Sequence, residues 1–247
     1  MLLAVDIGNT NINFGLFKAG KLIRRFSIPA RSYSFHRLKS GLSGYRPENS
    51  VICSVVPKIS PLINKDLRAL IGVRPYNIGK QIKAPVKNLY RKPRQVGQDR
   101  LVNAYAGIVM FGSPLIIIDF GTAVTFDVVS AQKEYLGGMI LPGLNLSLKA
   151  LYENTALLPR VRLARPKELI GRDTQGSILS GVVYGFAAMA DDLTKRIRGK
   201  IGKNAKVIAT GGDSEILKKY CRSIDRVDPN LTLKGMYYIY KNKGGEK

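Results

Sequence analysis

One pattern occurs twice in this chain. Residues 2–7 (LLAVDI) form a short apolar run carrying an acid. A Gly-Asn-Thr turn follows, then the run 11–18 (NINFGLFK), a tight Ala19-Gly20 turn and the run 21–28 (KLIRRFSI). Residues 115–119 (LIIID), a Phe-Gly-Thr turn, 123–130 (AVTFDVVS) and Glu134-Tyr135-Leu136 repeat the sequence of events. At an offset of 113, Asp6 falls on Asp119, Gly8 on Gly121, Asn9 on Thr122 and the pair Gly20-Lys21 on Lys133-Glu134. Short apolar, β-branched runs separated by glycine-bearing turns read as strand–turn–strand meanders. A repeat of this length means a duplicated module. The expected fold is α/β, with two similar halves, residues 1–113 and 114–247, facing one another across a cleft.

Strands and helices alternate around the meanders. Residues 50–56 (SVICSVV) read as a buried strand, Pro57 opens a helical pattern to about Leu70, and 74–78 look like one more short strand. A basic loop with two prolines spans 79–96. Residues 98–111 then show a helical period that offers Leu101, Val102, Tyr105, Ile108 and Val109 to one face. In the second half, 143–158 and 175–198 have helical periods, and the latter is rich in small residues suited to close helix packing. A strand at 206–212 runs into a double glycine, a helix starts at Ser214, and a last helix lies near 232–242. Only the terminal GGEK, residues 244–247, reads as frayed.

Composition removes whole chemistries. The chain has 247 residues, one histidine and two cysteines. His36 alone cannot build a His-rich metal site and has no acid near it in sequence to form a triad. Cys53 and Cys221 make neither a zinc cluster nor a disulfide framework, so a reduced, cytoplasmic setting is expected. The start, MLLAVDIGNT, lacks a basic region and meets Asp6 early, which is not how a signal peptide reads. No uncharged apolar run approaches the roughly 18 residues that a membrane span needs, so no membrane partner is expected. The formal net charge is +23, with 19 Lys+Arg against 4 acids in residues 1–113. Such a field draws anions of every kind without choosing among them.

The acids are therefore informative. In DIGNT (6–10), an acid at a strand end followed by glycine turns the backbone sharply, and the amides of Gly8, Asn9, Thr10 and Asn11 could meet phosphate oxygens. Asp6 would hold a hydrated Mg²⁺ rather than touch phosphate. An ordinary β-turn would use the same residues, but the echo at DFGT (119–122) favours two turns gripping one nucleotide. The third glycine turn, TGG (210–212), suits either a closely approaching adenosine or a helix start capped by Asp213 or Ser214. In GQDR (97–100), Asp99 is either a first-turn helix acid or a base for a hydroxyl proton, with Arg100 beside it for an anionic substrate. Asp119 and Asp127 are further candidates for cation contacts.

Together, DIGNT, GQDR, DFGTAVTFD (119–127), GGMILPG (137–143), IGRDT (170–174) and ATGG (209–212) resemble type III pantothenate kinase, in the family's order and over nearly the whole chain. The resemblance implies two ribonuclease-H-like domains of the acetate and sugar kinase/Hsp70/actin superfamily around a nucleotide cleft. It also implies ATP-dependent phosphorylation of pantothenate to 4′-phosphopantothenate, the first step of coenzyme A synthesis. By the same resemblance, Asp6, Ile7, Gly8, Asn9, Thr10, Asn11, Ile12 and Asn13 form the ATP phosphate loop, with Asp6 near Mg²⁺, and Thr122 is a further ATP contact. Asp99 is implied as proton acceptor. Tyr90, Gly97, Gln98, Arg100 and, across a homodimer interface, Thr174 are implied as pantothenate contacts. Asp119 is implied as ligand of an activating K⁺ or NH₄⁺. Gln98 stands where Ala is common in the family and Asp173 where Asn is usual. Two other readings remain. One is a nucleic-acid-binding transcriptional accessory factor, prompted by the charge but lacking an aromatic-interleaved basic stretch. The other is a kinase of the same fold acting on a different small molecule.

Overall fold

The computed structural model describes residues 1–243, so the expected fraying of the terminal GGEK lies outside the described residues. The chain divides into two compact units. The first holds residues 1–86, 91–109 and the stretch from Leu231 onward; the second holds 87–90 and 110–230.

In the first unit, β1 (Leu2–Ile7), β2 (Asn11–Lys18) and β3 (Lys21–Pro29) form the expected antiparallel meander. Helix α1 (Phe35–Gly41) follows, then β4 (Asn49–Ser54), α2 (Ser60–Ile71) and β5 (Tyr76–Asn77). The sheet order is β3-β2-β1-β4-β5, and β4 runs parallel to β1. The alternation of side chains along a strand divides β1 between two cores. Leu3, Val5 and Ile7 pack with Leu38 and Leu42 near α1 and with Ile63 and Leu67 of α2. Leu2 and Ala4 face the opposite way, into a cluster with Val51 and Cys53 of β4, Val102, and Leu233, Met236 and Ile239. Asp6 continues that second face at the carboxyl end of β1.

The chain then visits the second unit as β6 (Lys87–Asn88) and returns as α3 (Gln98–Phe111). On α3 the buried face differs from the one the spacing offered. Arg100, Leu101, Val102, Asn103, Ala104, Ala106 and Gly107 are buried, while Val109 is 47% exposed. Leu101 and Val102 of the offered face are buried, but Tyr105 and Ile108 only partly, and burial extends instead over Ala104, Ala106 and Gly107, whose small size lets α3 lie close to its neighbours.

The second unit repeats the topology. β7 (Leu115–Phe120), β8 (Ala123–Val129) and β9 (Glu134–Pro142) form its meander, and β1 and β7 share the same burial pattern. After α4 (Leu144–Glu153) and α5 (Thr174–Ile201), β10 (Lys206–Thr210) pairs parallel with β7. Helix α6 (Ser214–Leu217) and β11 (Arg226–Val227) follow. The order β9-β8-β7-β10-β11 reproduces that of the first sheet, with β6 added outside β9. Even an irregularity repeats: β2 shifts register between Leu16 and Phe17, and β8 between Val128 and Val129. The duplication is therefore structural. The offset changes from 113 in β1 and β7 to 112 in β2 and β8, because Gly121 bonds Ala123 O whereas Gly8 bonds Asn11 O, and returns to 113 at Lys21 and Glu134, where β3 and β9 begin.

The last helix, α7 (Leu231–Asn242), corrects the expected boundary. The sequence repeat assigns it to a second half running from 114 to 247, yet Leu233, Met236 and Ile239 bury themselves in the first unit's core beside Leu2 and Ala4. The internal break also falls at Val109/Met110 rather than at 113/114. Among the described residues no helix is long and apolar enough to cross a membrane.

Candidate active site

In the first unit, β1, β4 and α3 bring three ionisable groups together. Asp6 sits at the end of β1, directly beside Cys53 in the parallel register of β4. Across the antiparallel register stands Asn13, whose Nδ2 donates to Asp6 Oδ2 at 3.2 Å. Burial pushes the Asp6 carboxyl up to about 6, with the Asn13 bond opposing and the nearby Asp99 charge adding to the rise. Asp99 lies in the first turn of α3, and Arg100 N donates to its Oδ1 at 2.9 Å. Burial raises its pKa as well, against the opposing amide bond and the Arg100 charge. A Cβ on Gly97 would run into Asp99 Oδ1, so the carboxylate is seated against bare backbone. Burial, then Asp6 and Asp99, raise the Cys53 thiol well above its ordinary value, which keeps it neutral.

Two partly buried carboxylates, both with raised proton affinity and with the Asp99 charge adding to the rise at Asp6, are a site short of positive charge. They suit a divalent cation that keeps most of its water and leans on phosphates for the remaining ligands. No group of three or more His, Cys, Asp or Glu able to hold a metal exists among the described residues, so a cage made by the protein alone is not the fit.

The loop after β1 departs from the expectation at several positions. Gly8 N is already bonded to Asn11 O at 3.0 Å, so that amide closes the turn instead of facing a phosphate. Asn9, Thr10 and Asn11 are exposed at its tip. Ile7 and Ile12 are fully buried core residues, which leaves them only backbone atoms to offer a ligand.

In the second unit, Asp119 occupies the place of Asp6 at the end of β7, opposite Thr125 where the first unit has Asn13. Glycines crowd its carboxylate. A Cβ on Gly121 would lie 3.3 Å from Asp119 Oδ1, and one on Gly211 would strike the same oxygen and come within 2.5 Å of Phe120 O. The Asp119 carboxylate and the Phe120 carbonyl converge on the bare backbone of Gly211, with no room for a methyl group, and are oxygen donors of the kind a weakly hydrated monovalent cation takes. Thr122 O accepts from Gly143 N at 3.0 Å, tying the turn to the start of α4. Asp127 is not a cation contact. It is fully buried and accepts from Tyr135 Oη at 2.8 Å and Thr125 Oγ1 at 3.2 Å within the sheet.

The TGG turn leads into the helix start that its sequence offered, but without the expected cap: Ser214 Oγ donates back to Gly211 O at 2.7 Å. Asp213 is the residue before α6, and its side chain makes no cap bond; Asn145 Nδ2 donates to Asp213 Oδ2 at 3.2 Å. Together with Arg160 and Arg162 these residues line a cavity of about 630 Å³. Tyr90 packs its ring within 3.3 Å of a Cβ built on Gly137. Thr174 is exposed at the first position of α5, whose start Asp173 caps by accepting from Gly176 N at 2.6 Å. The structure thus groups Gly97, Asp99 and Arg100 with Asp6 and Asn13 in the first unit, while Gln98 leans on Gly79. Tyr90, Asp119, Thr122 and Thr174 belong to the second. Sequence reasoning missed Cys53 and Asn145 as neighbours of the key acids. The strand register could have found Cys53; nothing local could have found Asn145.

Two sheets of one topology, each with an acid at the end of its first strand and a glycine turn beyond, define a duplicated ribonuclease-H-like fold, that of the actin-like ATPases and sugar kinases. Solved structures share it. A protein from Campylobacter jejuni named for the Baf family of transcriptional activators superposes with a TM-score of 0.64 at 22% identity, covering 98% of this chain and 99% of its own. The activator of 2-hydroxyisocaproyl-CoA dehydratase from Clostridium difficile, with ADPNP bound, gives 0.56 at 13% identity over 99% and 96%. The ethanolamine utilization protein EutJ from Carboxydothermus hydrogenoformans gives 0.55 at 14% over 96% and 89%. At these identities the likeness is one of fold. Sequence is more specific: the type III pantothenate kinase profile matches residues 2–196, and the chain belongs to that family. It is thereby a nucleotide-binding phosphotransferase.

Proposed function

We propose that the protein transfers the γ-phosphoryl group of ATP to the terminal hydroxyl of pantothenate, giving 4′-phosphopantothenate and ADP. The observation that carries this reading is Asp99, partly buried in the first turn of α3 with its charge felt at Asp6, within a chain of this family. Asp99 accepts a hydrogen bond from the hydroxyl and takes its proton as the oxygen–phosphorus bond forms and the bond to the departing ADP oxygen breaks. A carboxylate whose proton affinity is raised by burial is a better acceptor than one in water, and phosphoryl transfer asks for little proton removal early. Arg100 places a cation next to that base for the acidic end of the substrate.

Asp6 would hold Mg²⁺ through water and Asp119 would hold K⁺ or NH₄⁺, and each cation would supply positive charge against phosphate. Asp6 accepts the water-borne contact, and Asn13 fixes which way its carboxylate points. Gly97 keeps a side chain out of the way of Asp99, and Gly211 does the same for Asp119. Thr174, exposed at the start of α5, would reach substrate from the second subunit of a homodimer.

A coupled ADP-release assay with Mg-ATP tests this. Pantothenate should support turnover that K⁺ increases, and a panel of sugars should not. Turnover with a sugar alone would assign a different kinase. Strongly salt-dependent DNA binding with no ADP release on any acceptor would assign the regulatory reading instead.

A further inference from the structure

The catalytic helix is held by a segment that lies beyond the residues matched to the family. Asp99 opens α3, and Asn103 follows it by one helical turn on the same side. Asn103 is 1% exposed, and its Oδ1 accepts from Thr232 Oγ1 of α7 at 2.8 Å. One turn further along α7, Gly235 meets α3 backbone to backbone. A Cβ there would lie 2.6 Å from Val102 O, 2.8 Å from Val102 Cγ1 and 3.0 Å from Ala106 Cβ. Leu233 and Met236, flanking Gly235, are buried in the core that underlies β1 and β4. The polar bond and the close approach both act on the turn of α3 immediately after Asp99.

We propose that α7 is a buttress for the catalytic helix, in which Thr232 and Gly235 are positioning residues that set where Asp99 stands through Asn103 and Val102. The proposal rests on Asp99 being the base for pantothenate. Thr232 fixes α3 in rotation, because only one face of α3 presents Asn103 to it. Gly235 fixes the spacing, because any side chain must push the Val102 carbonyl away. A displacement of about 1 Å at a reacting group costs on the order of a hundredfold in rate, so the contact matters for turnover far more than for substrate affinity.

Three variants in the full chain test this: Thr232→Val, which keeps shape and loses the hydroxyl; Thr232→Ser, which restores it; and Gly235→Ala. Thr232→Val should lower kcat by roughly tenfold and Gly235→Ala by roughly ten- to a hundredfold, with KM for ATP within about threefold of wild type. Thr232→Ser should recover most of the loss. In an Asp99→Asn background Thr232→Val should have little further effect, since its action runs through Asp99. Independently of activity, amide exchange at residues 99–103 should quicken about tenfold in Thr232→Val, with β1 unchanged. Unchanged exchange at 99–103, or an equal kcat loss with and without Asp99, would overturn the buttress. If wild type does not turn over pantothenate, the proposed reaction fails while the exchange experiment still judges the buttress.

Discussion

Single side chains carry the chemistry, and their burial has measurable consequences. Asp6 has its carboxyl raised from the model-compound value of 3.8 to about 6, chiefly by burial. An acid that holds its proton more tightly when folded makes the fold lose stability as pH climbs from about 4 to about 6. Above that window the ligand-free protein carries the full cost. Asp6→Asn can still accept from Asn13 and is uncharged, so it should stabilise the ligand-free protein by roughly 1–3 kcal/mol at pH 7.5, an advantage that shrinks towards pH 4. Urea midpoints of wild type and variant at the two pH values measure this. An advantage that is flat with pH would mean that Asp6 is not strained by its charge. Asp127 shows the opposite role: buried, but answered by Tyr135 and Thr125. Tyr135→Phe removes the shorter of those bonds and should cost about 1–3 kcal/mol in thermal or chemical unfolding, with no direct effect on cation dependence.

Secondary-structure elements decide which side chains meet. The two meanders were legible because alternating apolar residues and glycine turns are local signals, and β1, β2, β7 and β8 lie where those signals put them. Helix α1 was not, since among its seven residues Leu38 alone is buried and no period emerges from an Arg- and Ser-rich stretch. The helix expected over 143–158 ends at Glu153, where Asn154 Nδ2 and Thr155 Oγ1 turn back onto the carbonyls of Ala150 and Leu151. Asp6, Asp99 and Asp119 could be nominated from sequence because each ends a strand or opens a helix beside glycine. That Asp99 comes within electrostatic reach of Asp6 could not, because it depends on which face of β1 receives α3. Glycines on elements also sort by surroundings. Gly199 lies in α5 with nothing within 4 Å of an added Cβ, so Gly199→Ala should raise stability by about 0.5–1 kcal/mol and leave turnover alone. Gly97→Ala, whose methyl group strikes Asp99, should instead lower turnover at least tenfold with little change in stability. Equal effects from the two would remove the special status of the Gly97–Asp99 contact.

For the molecule as a whole, the division into units is not a division of the chain into halves. The first unit is built from residues 1–86 and 91–109 and closed by α7, the far end of the sequence. A chain cut to residues 1–113 would expose the face of β1 that carries Leu2 and Ala4 and should not fold cooperatively, whereas adding residues 231–243 through a flexible linker should restore a cooperative transition by circular dichroism. Lys243 adds to that closure, its Nζ lying 3.6 Å from the centroid of the Tyr76 ring of β5. The function is tested most directly by single-turnover transfer from Mg-ATP to pantothenate, comparing wild type with Asp99→Asn. If Asp99 accepts the proton, the variant binds ATP as wild type does and forms phosphorylated product about a hundred to ten thousand times more slowly. Transfer at the wild-type rate without that carboxylate would contradict the assignment.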